Sequence, residues 1–328
     1  MNKKNLYAAL ALACCLPFAA CSQAQPTSFT ANWRKNTVDA LDTVNLSGTE
    51  TAVYNVTFES GENSSYSVDY PDGGTYTTRL SSKDGNYLYE TELKIGVRFT
   101  YEGESENFND FVCSSVIFES TQKGLRPVRS VKTSASHVPA SASPTSLNGA
   151  DACYAAYFTR VTTDYSAYTC TTEYFTDETF EVAHESVKTQ TRSFEVDDKY
   201  SLIDNEELLL AVRGIEGTSA KTVYVYNTSA GKLQKVQISQ SSKASTDFDF
   251  TIVGRESEGT TQKGVSYVPF TLSISDANPG SSQTLWVAET TDVLNNAYRN
   301  VILRMETPVS FNLGTLIYEL KSVEFLNE

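Results

Sequence analysis

Residues 87–101 alternate between apolar and polar side chains, and this alternation constrains the fold more than any other feature of the chain. The odd positions are Tyr87, Tyr89, Thr91, Leu93, Ile95, Val97, Phe99 and Tyr101, and the even ones include Glu90, Glu92, Lys94 and Arg98. A period of two is typical of a β-strand with one buried face, and a strand over this stretch is roughly 50 Å long at about 3.3 Å per residue. We expect a bulge or bend at Gly96 and a large, curved antiparallel sheet around the strand.

Shorter stretches of the same kind follow through much of the chain. Strands are expected at 54–58, 154–161, 168–175, 222–226, 248–252, 268–273, 284–288, 300–306 and 315–325. Turn-forming clusters separate them at 71–74, 227–231 and 278–280, and 308–314 is expected to be the final hairpin connection. The predicted fold class is mainly β (α+β): a large curved antiparallel sheet or half-barrel with one helix packed on it.

One segment has the pattern of a helix. Acidic residues begin it at Asp204, the apolar run 208–212 follows, and Arg213 and Gly214 close it. Acids near the start, a base near the end and a glycine after it are the usual helix signals. The pattern predicts a helix over 204–213, which must bury its apolar side chains against the sheet.

The charge of the chain excludes one class of partner. The sequence has 26 basic and 40 acidic residues, a formal net charge of −14, and without residues 1–20 the charge is −16 because Lys3 and Lys4 are lost. Such a surface repels phosphate backbones, so we expect no nucleic-acid partner. After residue 20, no stretch approaches the roughly 20 apolar residues of a membrane-spanning helix.

The N-terminus has its own pattern. A short basic start, an apolar run at 6–20 and the segment Phe18–Ala20 lead to Cys21. This order resembles a bacterial lipoprotein signal peptide, which ends at a lipid-modified cysteine. The resemblance implies a signal peptide at 1–20, lipid attachment at Cys21, a flexible tether at 21–32 and one domain at 33–328. It places the protein in the cell envelope, on the extracytoplasmic face of a membrane. The alternative is plain secretion with cleavage after Ala24.

Residues 124–150 are rich in small residues and proline, and we expect a mobile loop there. It lies either within one continuous sheet or at a domain boundary. Three cysteines lie beyond the N-terminal region. Cys113 is expected to be a buried thiol. Cys153 and Cys170 are the pair to form a disulfide, if any forms.

Catalytic signals are weak throughout. The two histidines are His137, in the expected loop, and His184, expected on a surface strand, and no Gly-x-Ser-x-Gly motif is present. No CxxC or HxxxH spacing suggests zinc. Acidic neighbours occur at 197–198, 206–207 and 247–249, and we interpret them as solvated side chains rather than catalytic pairs. The sequence therefore predicts no enzyme activity, no metal and no cofactor, with a hydrolase that uses paired acids as the least favoured alternative.

Aromatic side chains provide the candidate binding residues. Tyr87, Tyr89, Phe99 and Tyr101 share a face of the longest strand, and Trp286 and Tyr318 lie in the terminal strands. They are interpreted either as ordinary core or as the walls of an apolar cavity for a lipid or another hydrophobic molecule.

Several segments together resemble the β half-barrel lipoproteins, which are related in architecture to the LolA-type lipoprotein carriers. They are Gly124–Val128, the 204–213 helix, and the terminal stretches 298–308 and 313–318, which also look like uncharacterised surface lipoproteins of Gram-positive anaerobes. The resemblance implies a curved sheet that wraps a helix and offers an apolar concave face to acyl chains. We therefore expect a membrane-anchored, non-enzymatic envelope lipoprotein that binds a hydrophobic ligand or lipid on that face. The alternative is an envelope structural or assembly protein that acts through protein contacts.

Overall fold

The computed structural model describes residues 35–36, 40–44, 49–61, 67–121, 124–137, 152–196, 202–215, 220–227, 232–254, 259–274, 282–289 and 300–326. The described strands of the N-terminal half are β1 (Lys35–Asn36), β2 (Ala40–Val44), β3 (Thr49–Ser60), β4 (Ser67–Asp69), β5 (Gly74–Lys83), β6 (Asn86–Tyr101), β7 (Glu104–Thr121), β8 (Gly124–Ala135) and β9 (Cys153–Arg160). Those that follow are β10 (Ala167–Phe175), β11 (Gln190–Glu195), β12 (Leu202–Asp204), β13 (Lys221–Asn227), β14 (Lys232–Gln240), β15 (Ala244–Asp249), β16 (Thr251–Ile252), β17 (Thr261–Ile274), β18 (Gln283–Ala288), β19 (Ile302–Val309) and β20 (Gly314–Leu326).

One large sheet contains all of these strands except β1 and β2, which pair with each other. Ladders join its main strands in the order β11-β10-β9-β8-β7-β6-β5-β3-β20-β19-β18-β17-β14-β13-β12. All of these pairs are antiparallel except β12–β13. Among the described residues no ladder joins the end strands β11 and β12, so the sheet is open over the part of the chain that the structure describes. The predicted fold class, a mainly β protein with a large curved antiparallel sheet or half-barrel and one helix packed on it, is confirmed.

Three short strands pair outside this order. The β4 strand pairs with β6, next to the end of β5. The β15 strand pairs with β17, and β16, after the single residue Phe250, pairs in parallel with β20. The continuous segment β15–β16 therefore bridges β17 and β20, which are not neighbours in the main order. This bridge requires the sheet to curl between those two strands.

The β6 strand confirms the alternation in residues 87–101. Its odd side chains from Tyr87 to Phe99 are buried, and only Tyr101 at its end is partly exposed. Of the bulge or bend predicted at Gly96, the bulge is wrong, because the β6–β7 register runs without a shift from Tyr87 opposite Phe118 to Tyr101 opposite Glu104. The buried face of β6 marks the inner face of the sheet.

The described residues contain one α-helix, α1 (Glu207–Val212), and all six of its residues are buried. It is shorter than predicted because Asp204 still belongs to β12, which pairs with β13. Its apolar side chains pack into the core formed by the inner face of the sheet, as the predicted burial of this helix requires. No helix of the described residues is long and apolar enough to cross a membrane.

Residues 124–135 form β8, so the expected loop at 124–150 is wrong for this part. The buried face of β8 is polar. Ser130, Lys132 and Ser134 are buried, whereas Arg129 and Val131, on the other face of the strand, are exposed. A strand with polar residues inside and an apolar residue outside has the composition of a loop, which explains the wrong prediction. Residues 138–151 lie outside the described part of the chain, as do Cys21 and the segments predicted as signal peptide and tether.

The three described cysteines are free. Cys153 lies opposite Phe175 in the β9–β10 ladder, and Cys170 lies opposite Phe158, five residues along. That separation is too large for a disulfide, so the proposed pairing is wrong. Cys113 is only partly buried, and its thiol lies 3.8 Å from Glu92 Oε1. The expectation that it is a buried thiol is also wrong.

The connection predicted at 308–314 joins β19 to β20 through a short 3₁₀ turn, Ser310–Asn312. Gly314 begins β20 with φ of +150°, and a Cβ placed there would lie 2.1 Å from the Glu59 carbonyl oxygen. Only glycine allows the two backbones to approach so closely.

Candidate functional site

A row of buried polar side chains crosses the inner face of the sheet, where the β12–α1 junction packs on β8. Ser130 Oγ donates a hydrogen bond to Asp204 Oδ2 at 2.6 Å, and Lys132 Nζ donates to Glu206 Oε1 at 2.7 Å. Asn205 Nδ2 donates to the same Glu206 oxygen at 3.2 Å. We call these five residues the polar seam. It fixes the start of α1 to the sheet by charge and hydrogen bonds rather than by apolar contact.

Burial and charge act against each other in this polar seam. Burial raises the pKa of Asp204, although the hydrogen bonds from Ser130 and the Glu206 N–H oppose the change. For Glu206, burial would raise the pKa, but Lys132 and the hydrogen bonds bring it below its usual value. Burial likewise disfavours the charged form of Lys132, yet Glu206 raises its pKa overall. Lys132 and Glu206 are therefore a true ion pair inside the protein.

Beside the polar seam lie three buried polar groups whose hydrogen-bonding capacity is largely unused; we call Arg126, Tyr168 and Glu207 the polar trio. Glu207 is fully buried, and its Oε2 accepts from the Asp204 N–H at 3.2 Å, but its Oε1 has no hydrogen-bond partner. The Tyr168 hydroxyl is buried and also unpartnered. Arg126 is 6% exposed, and within the described part of the chain it donates one long bond of 3.5 Å to the Leu125 carbonyl and makes no salt bridge.

The three members of the polar trio influence one another. Burial raises the pKa of Glu207 to about 8, with Asp204 adding to the increase and Arg126 opposing it. Burial raises the pKa of Tyr168, with Arg126 lowering and Glu207 raising it further. Burial lowers the pKa of Arg126, opposed by Tyr168 and Glu207. These mutual effects place all three groups within electrostatic range of one another. The pKa of about 8 makes the protonated form of Glu207 predominant at neutral pH.

A second polar group lies next to the trio, nearer to solvent. Glu119 forms a salt bridge with Arg160 at 3.3 Å and accepts a hydrogen bond from the Tyr165 hydroxyl. The Arg160 guanidinium lies 4.6 Å from the centre of the Tyr165 ring. Arg160 and Tyr165 both affect the pKa of Tyr168, so this rim cluster adjoins the buried groups.

Aromatic side chains connect the two ends of the open sheet. Phe158, Tyr168, Phe194 and Tyr226 come from β9, β10, β11 and β13. Their ring centroids are 4.9 Å apart for Phe158–Tyr168, 5.8 Å for Phe158–Phe194, 5.6 Å for Phe158–Tyr226, 5.9 Å for Tyr168–Phe194 and 4.7 Å for Phe194–Tyr226. We call these four residues the aromatic closure. They belong to a core cluster separate from the one around α1.

The six residues predicted to line an apolar cavity do not surround one space. Tyr87, Tyr89, Phe99 and Tyr318 are buried on the inner face, with Tyr101 packed at its margin. Tyr87 stacks on Phe118 at 5.1 Å, and Tyr318 meets Tyr76 edge to face at 5.4 Å. These contacts fit the alternative interpretation of the residues as core.

Trp286 corrects that prediction most clearly, because it lies on the outer face. It is paired with Arg304 in the β18–β19 ladder, whereas its neighbours Leu285 and Val287 are buried. The Arg304 guanidinium lies 4.6 Å from the Trp286 ring, and Tyr267 meets the ring at 6.3 Å.

The histidines also differ from expectation. His137 follows the end of β8, outside any strand, but it is held in place: its Nδ1 is 2.7 Å from Asp110 Oδ1, and its ring stacks on Phe108 at 4.3 Å. Ser136 Oγ donates to Asp110 at 3.3 Å. His184 is partly exposed but lies outside any strand, and its Nδ1 accepts hydrogen bonds from the Ser186 and Val187 N–H groups.

The acidic neighbours fall into different environments. Residues 197–198 lie outside the described part of the chain. Asp247 and Asp249 are on the surface, where they accept hydrogen bonds from the Gly264 N–H and the Thr261 hydroxyl. Glu207, by contrast, is fully buried and the Glu206 side chain is only 12% exposed, so their interpretation as solvated is wrong. Within the described residues, no group of three or more His, Cys, Asp or Glu side chains is arranged to hold a metal ion.

The outer face of the sheet has a shallow groove of about 360 Å³ over β5 to β8. Its lining includes Arg79, Glu90, Glu92, Cys113 and Thr133. The groove is open to solvent, and it lies on the opposite face from the polar trio and the aromatic closure.

Comparison with known proteins gives a likeness in fold. No family model and no curated protein sequence matches the chain. A crystal structure of a beta-barrel-like protein of domain of unknown function DUF1849 from Brucella abortus aligns with 86% of this chain and 99% of its own, at 10% sequence identity and a TM-score of 0.50. The class of protein is therefore β-barrel-like, here with an open sheet. At this identity the similarity shows the fold alone.

Proposed function

We propose that this is a lipid-anchored envelope protein without catalytic activity that binds a hydrophobic ligand at the aromatic closure. The observation that carries the proposal is that the ends of an open sheet meet through stacked rings and not through a ladder in the described residues. Rings that separate can pack against a ligand instead of against each other. The N-terminal sequence ending at Cys21 supports the anchor and the extracytoplasmic location.

The energies are compatible with such an opening. An aromatic pair contributes about 0.5–1.5 kcal/mol beyond the area that it buries. Burying about 300 Å² of ligand apolar surface gains roughly 7 kcal/mol at about 25 cal/mol per Å², before ordering costs. A ligand that takes over the contacts of the aromatic closure therefore offsets the cost of opening it, and micromolar binding is expected.

The arrangement around His137 supports a protein that does no chemistry. Ser136, His137 and Asp110 are adjacent, but Ser136 donates its hydrogen bond to Asp110 and not to the histidine. A serine nucleophile needs its base within hydrogen-bond reach of its own hydroxyl. Glu207 and Asp204, two acids of the interior, are linked by a hydrogen bond from the Asp204 N–H to the Glu207 side chain and lie in the core rather than in an open cleft.

Ligand binding is tested by displacement of N-phenyl-1-naphthylamine, a neutral fluorescent hydrophobic probe, from the full chain extracted from its envelope. Palmitate should displace the probe at micromolar concentration. Phe194→Ala should weaken palmitate binding at least threefold. Phe248→Ala should leave it unchanged, because Phe248 packs on Tyr267 against the core around α1, which is separate from the cluster of the aromatic closure. Absence of probe binding would refute the proposal, and equal effects of the two variants would refute the location.

The anchor is tested separately by labelling growing cells with radioactive palmitate. Cys21→Ser should lose the label and leave the membrane fraction, and Cys113→Ser should keep both. A labelled Cys21→Ser protein would contradict the proposed anchor.

A second candidate function is supported by the edge strand β11. Its residues are exposed except for Phe194, which is partly buried, and its only ladder among the described residues is with β10. Such an edge can accept a strand from a protein partner, as an assembly protein would. The test is crosslinking in cells from a photoreactive residue that replaces Thr191. It would capture a specific protein if this function holds, and it would capture none if β11 binds no partner strand.

A further inference from the structure

We propose that the ligand is an amphiphile whose anionic oxygen group, a carboxylate or a phosphate, is bound by Arg126, Tyr168 and Glu207. This inference rests on the proposed function and adds the chemistry of the ligand's polar end.

The argument begins with Arg126. A guanidinium has five N–H donors and costs free energy to bury unless they are paired. Arg126 is 6% exposed, and its single hydrogen bond is long, 3.5 Å to a carbonyl next to it in sequence. Arg213, the other arginine that is buried among the described residues, is held by both oxygens of Glu50. The planar guanidinium of Arg126 thus has N–H donors available to bind an anion.

The other two members of the polar trio offer hydrogen bonds of the same kind. The Tyr168 hydroxyl is buried with no partner, and so is Oε1 of Glu207. A protonated carboxyl donates one hydrogen bond, and a tyrosine hydroxyl donates another. Both would therefore add donors to those of Arg126. Three unused donors that lie together can be satisfied by a ligand rich in hydrogen-bond acceptors. The oxygens of a carboxylate or a phosphate are such acceptors.

Nearby charges favour an anion at this position. Asp204 lies next to Glu207 but is already engaged by Ser130. In the rim cluster, Glu119 is neutralised by Arg160. With Glu207 protonated, Arg126 has no salt-bridge partner among the described residues, so its positive charge lacks a counter-ion in contact with it. Adding an anion removes an uncompensated buried charge, which is a large gain in a low-dielectric interior.

Tyr168 connects this polar end to the apolar end of the site. Its ring stacks on Phe158 and Phe194 in the aromatic closure, while its hydroxyl belongs to the polar trio. A ligand that contacts both ends must carry an apolar part beside its anionic group. A molecule that is purely apolar would leave Arg126 unpaired.

The test compares three amphiphiles with the same sixteen-carbon chain: palmitate, monohexadecyl phosphate and hexadecanol. Each displaces N-phenyl-1-naphthylamine from the full chain at pH 7. We expect at least one of the two anions to bind tenfold or more tightly than hexadecanol, and the better anion identifies carboxylate or phosphate as the group. Arg126→Met should reduce that preference to less than twofold, and Tyr168→Phe should reduce it about threefold.

Arg129→Met is the matched control, because Arg129 is exposed on the same strand, and it should keep the full preference. Far-UV circular dichroism confirms folding, and Tyr168→Phe, which removes one oxygen, keeps the test valid if Arg126→Met does not fold. Equal binding of hexadecanol and both anions would refute this inference and leave the proposed function intact, as would a preference that survives Arg126→Met. Binding of none of the three, or of the probe, would refute the proposed function itself.

Discussion

Arg213 holds Glu50 through two parallel hydrogen bonds, from Nη1 to Oε1 at 2.5 Å and from Nη2 to Oε2 at 2.9 Å. Both side chains are buried. The same guanidinium donates from Nε to the Asn300 carbonyl at 2.9 Å, and Asn300 Nδ2 donates back to the Arg213 carbonyl at 2.8 Å. The C-terminal end of α1 is thereby tied to β3 and to the residue Asn300, just before β19.

Removing one partner of this ion pair should be costly. Glu50→Gln leaves the Arg213 charge buried without its counter-charge, and we expect a loss of about 3–5 kcal/mol in the free energy of unfolding. The double variant Glu50→Leu/Arg213→Met should recover much of that loss because it buries no charge. Urea unfolding followed by circular dichroism measures each value. Glu90→Gln, which breaks an exposed pair with Arg79, is the control and should cost less than about 1 kcal/mol. Equal losses for the two glutamine variants would contradict this account.

Glu207 makes a different prediction, because its charge has no paired cation. Burial raises its pKa from 4.5 to about 8. The folded state therefore holds this proton more tightly than the unfolded chain, and its contribution is complete below about pH 4.5 and is lost as the pH rises to about 8. Glu207→Gln removes the titration. We expect it to be more stable than the wild type by about 3 kcal/mol at pH 7 and about equal to it at pH 4.

Unfolding in urea at four pH values between 4 and 8 measures this difference. The raised pKa of Asp204, which donates its backbone N–H to Glu207, acts in the same direction, so the variant keeps part of the pH dependence. Stability curves that stay parallel over this range would show that Glu207 is ionised in the folded protein.

The neighbouring glutamate should respond in the opposite sense. Glu206 is paired with Lys132, and its pKa is lowered, so its contribution is present above its unfolded pKa and is lost as the pH falls through the folded value. Glu206→Gln leaves the Lys132 charge unpaired in the interior and should destabilise the protein by about 3–5 kcal/mol at pH 7. Lys132→Met tests the same pair from the other side. A neutral effect of Glu206→Gln at pH 7 would contradict a buried ion pair.

The parts of the fold that could be predicted from sequence are those with a regular apolar period. The alternation in residues 87–101 predicts β6 and its buried face, and the apolar run at 208–212 predicts α1. Trp286 shows the limit of this signal. It lies in a run of four apolar residues, Leu285–Ala288, in which every side chain qualifies for the interior, so the sequence does not decide which face it takes.

The candidate site could not be predicted, because its residues look like surface residues. On β8, Ser130, Lys132 and Ser134 alternate with period two, and this is the one local signal that a strand was present. Their burial depends on partners 74 residues away, Asp204 and Glu206, which only the folded chain brings near. Glu206 and Glu207 likewise look solvated until the helix that follows them is placed inside the sheet.

The aromatic closure predicts where the protein opens most easily. The β11 strand pairs only with β10 among the described residues, and its main buried contact is Phe194, whereas β6 is paired along both sides and buried along one face. Local opening should thus expose β11 at a small fraction of the global free energy. Hydrogen exchange followed by mass spectrometry should find the amides of 190–195 exchanging at least about a hundredfold faster than those of 87–99. Phe194→Ala should accelerate exchange in β10 and β11 and leave β6 unchanged, and Phe248→Ala should alter neither. If β11 were as protected as β6, the two ends of the sheet would be joined by more than rings, and a ligand could not enter between them without unfolding the whole domain.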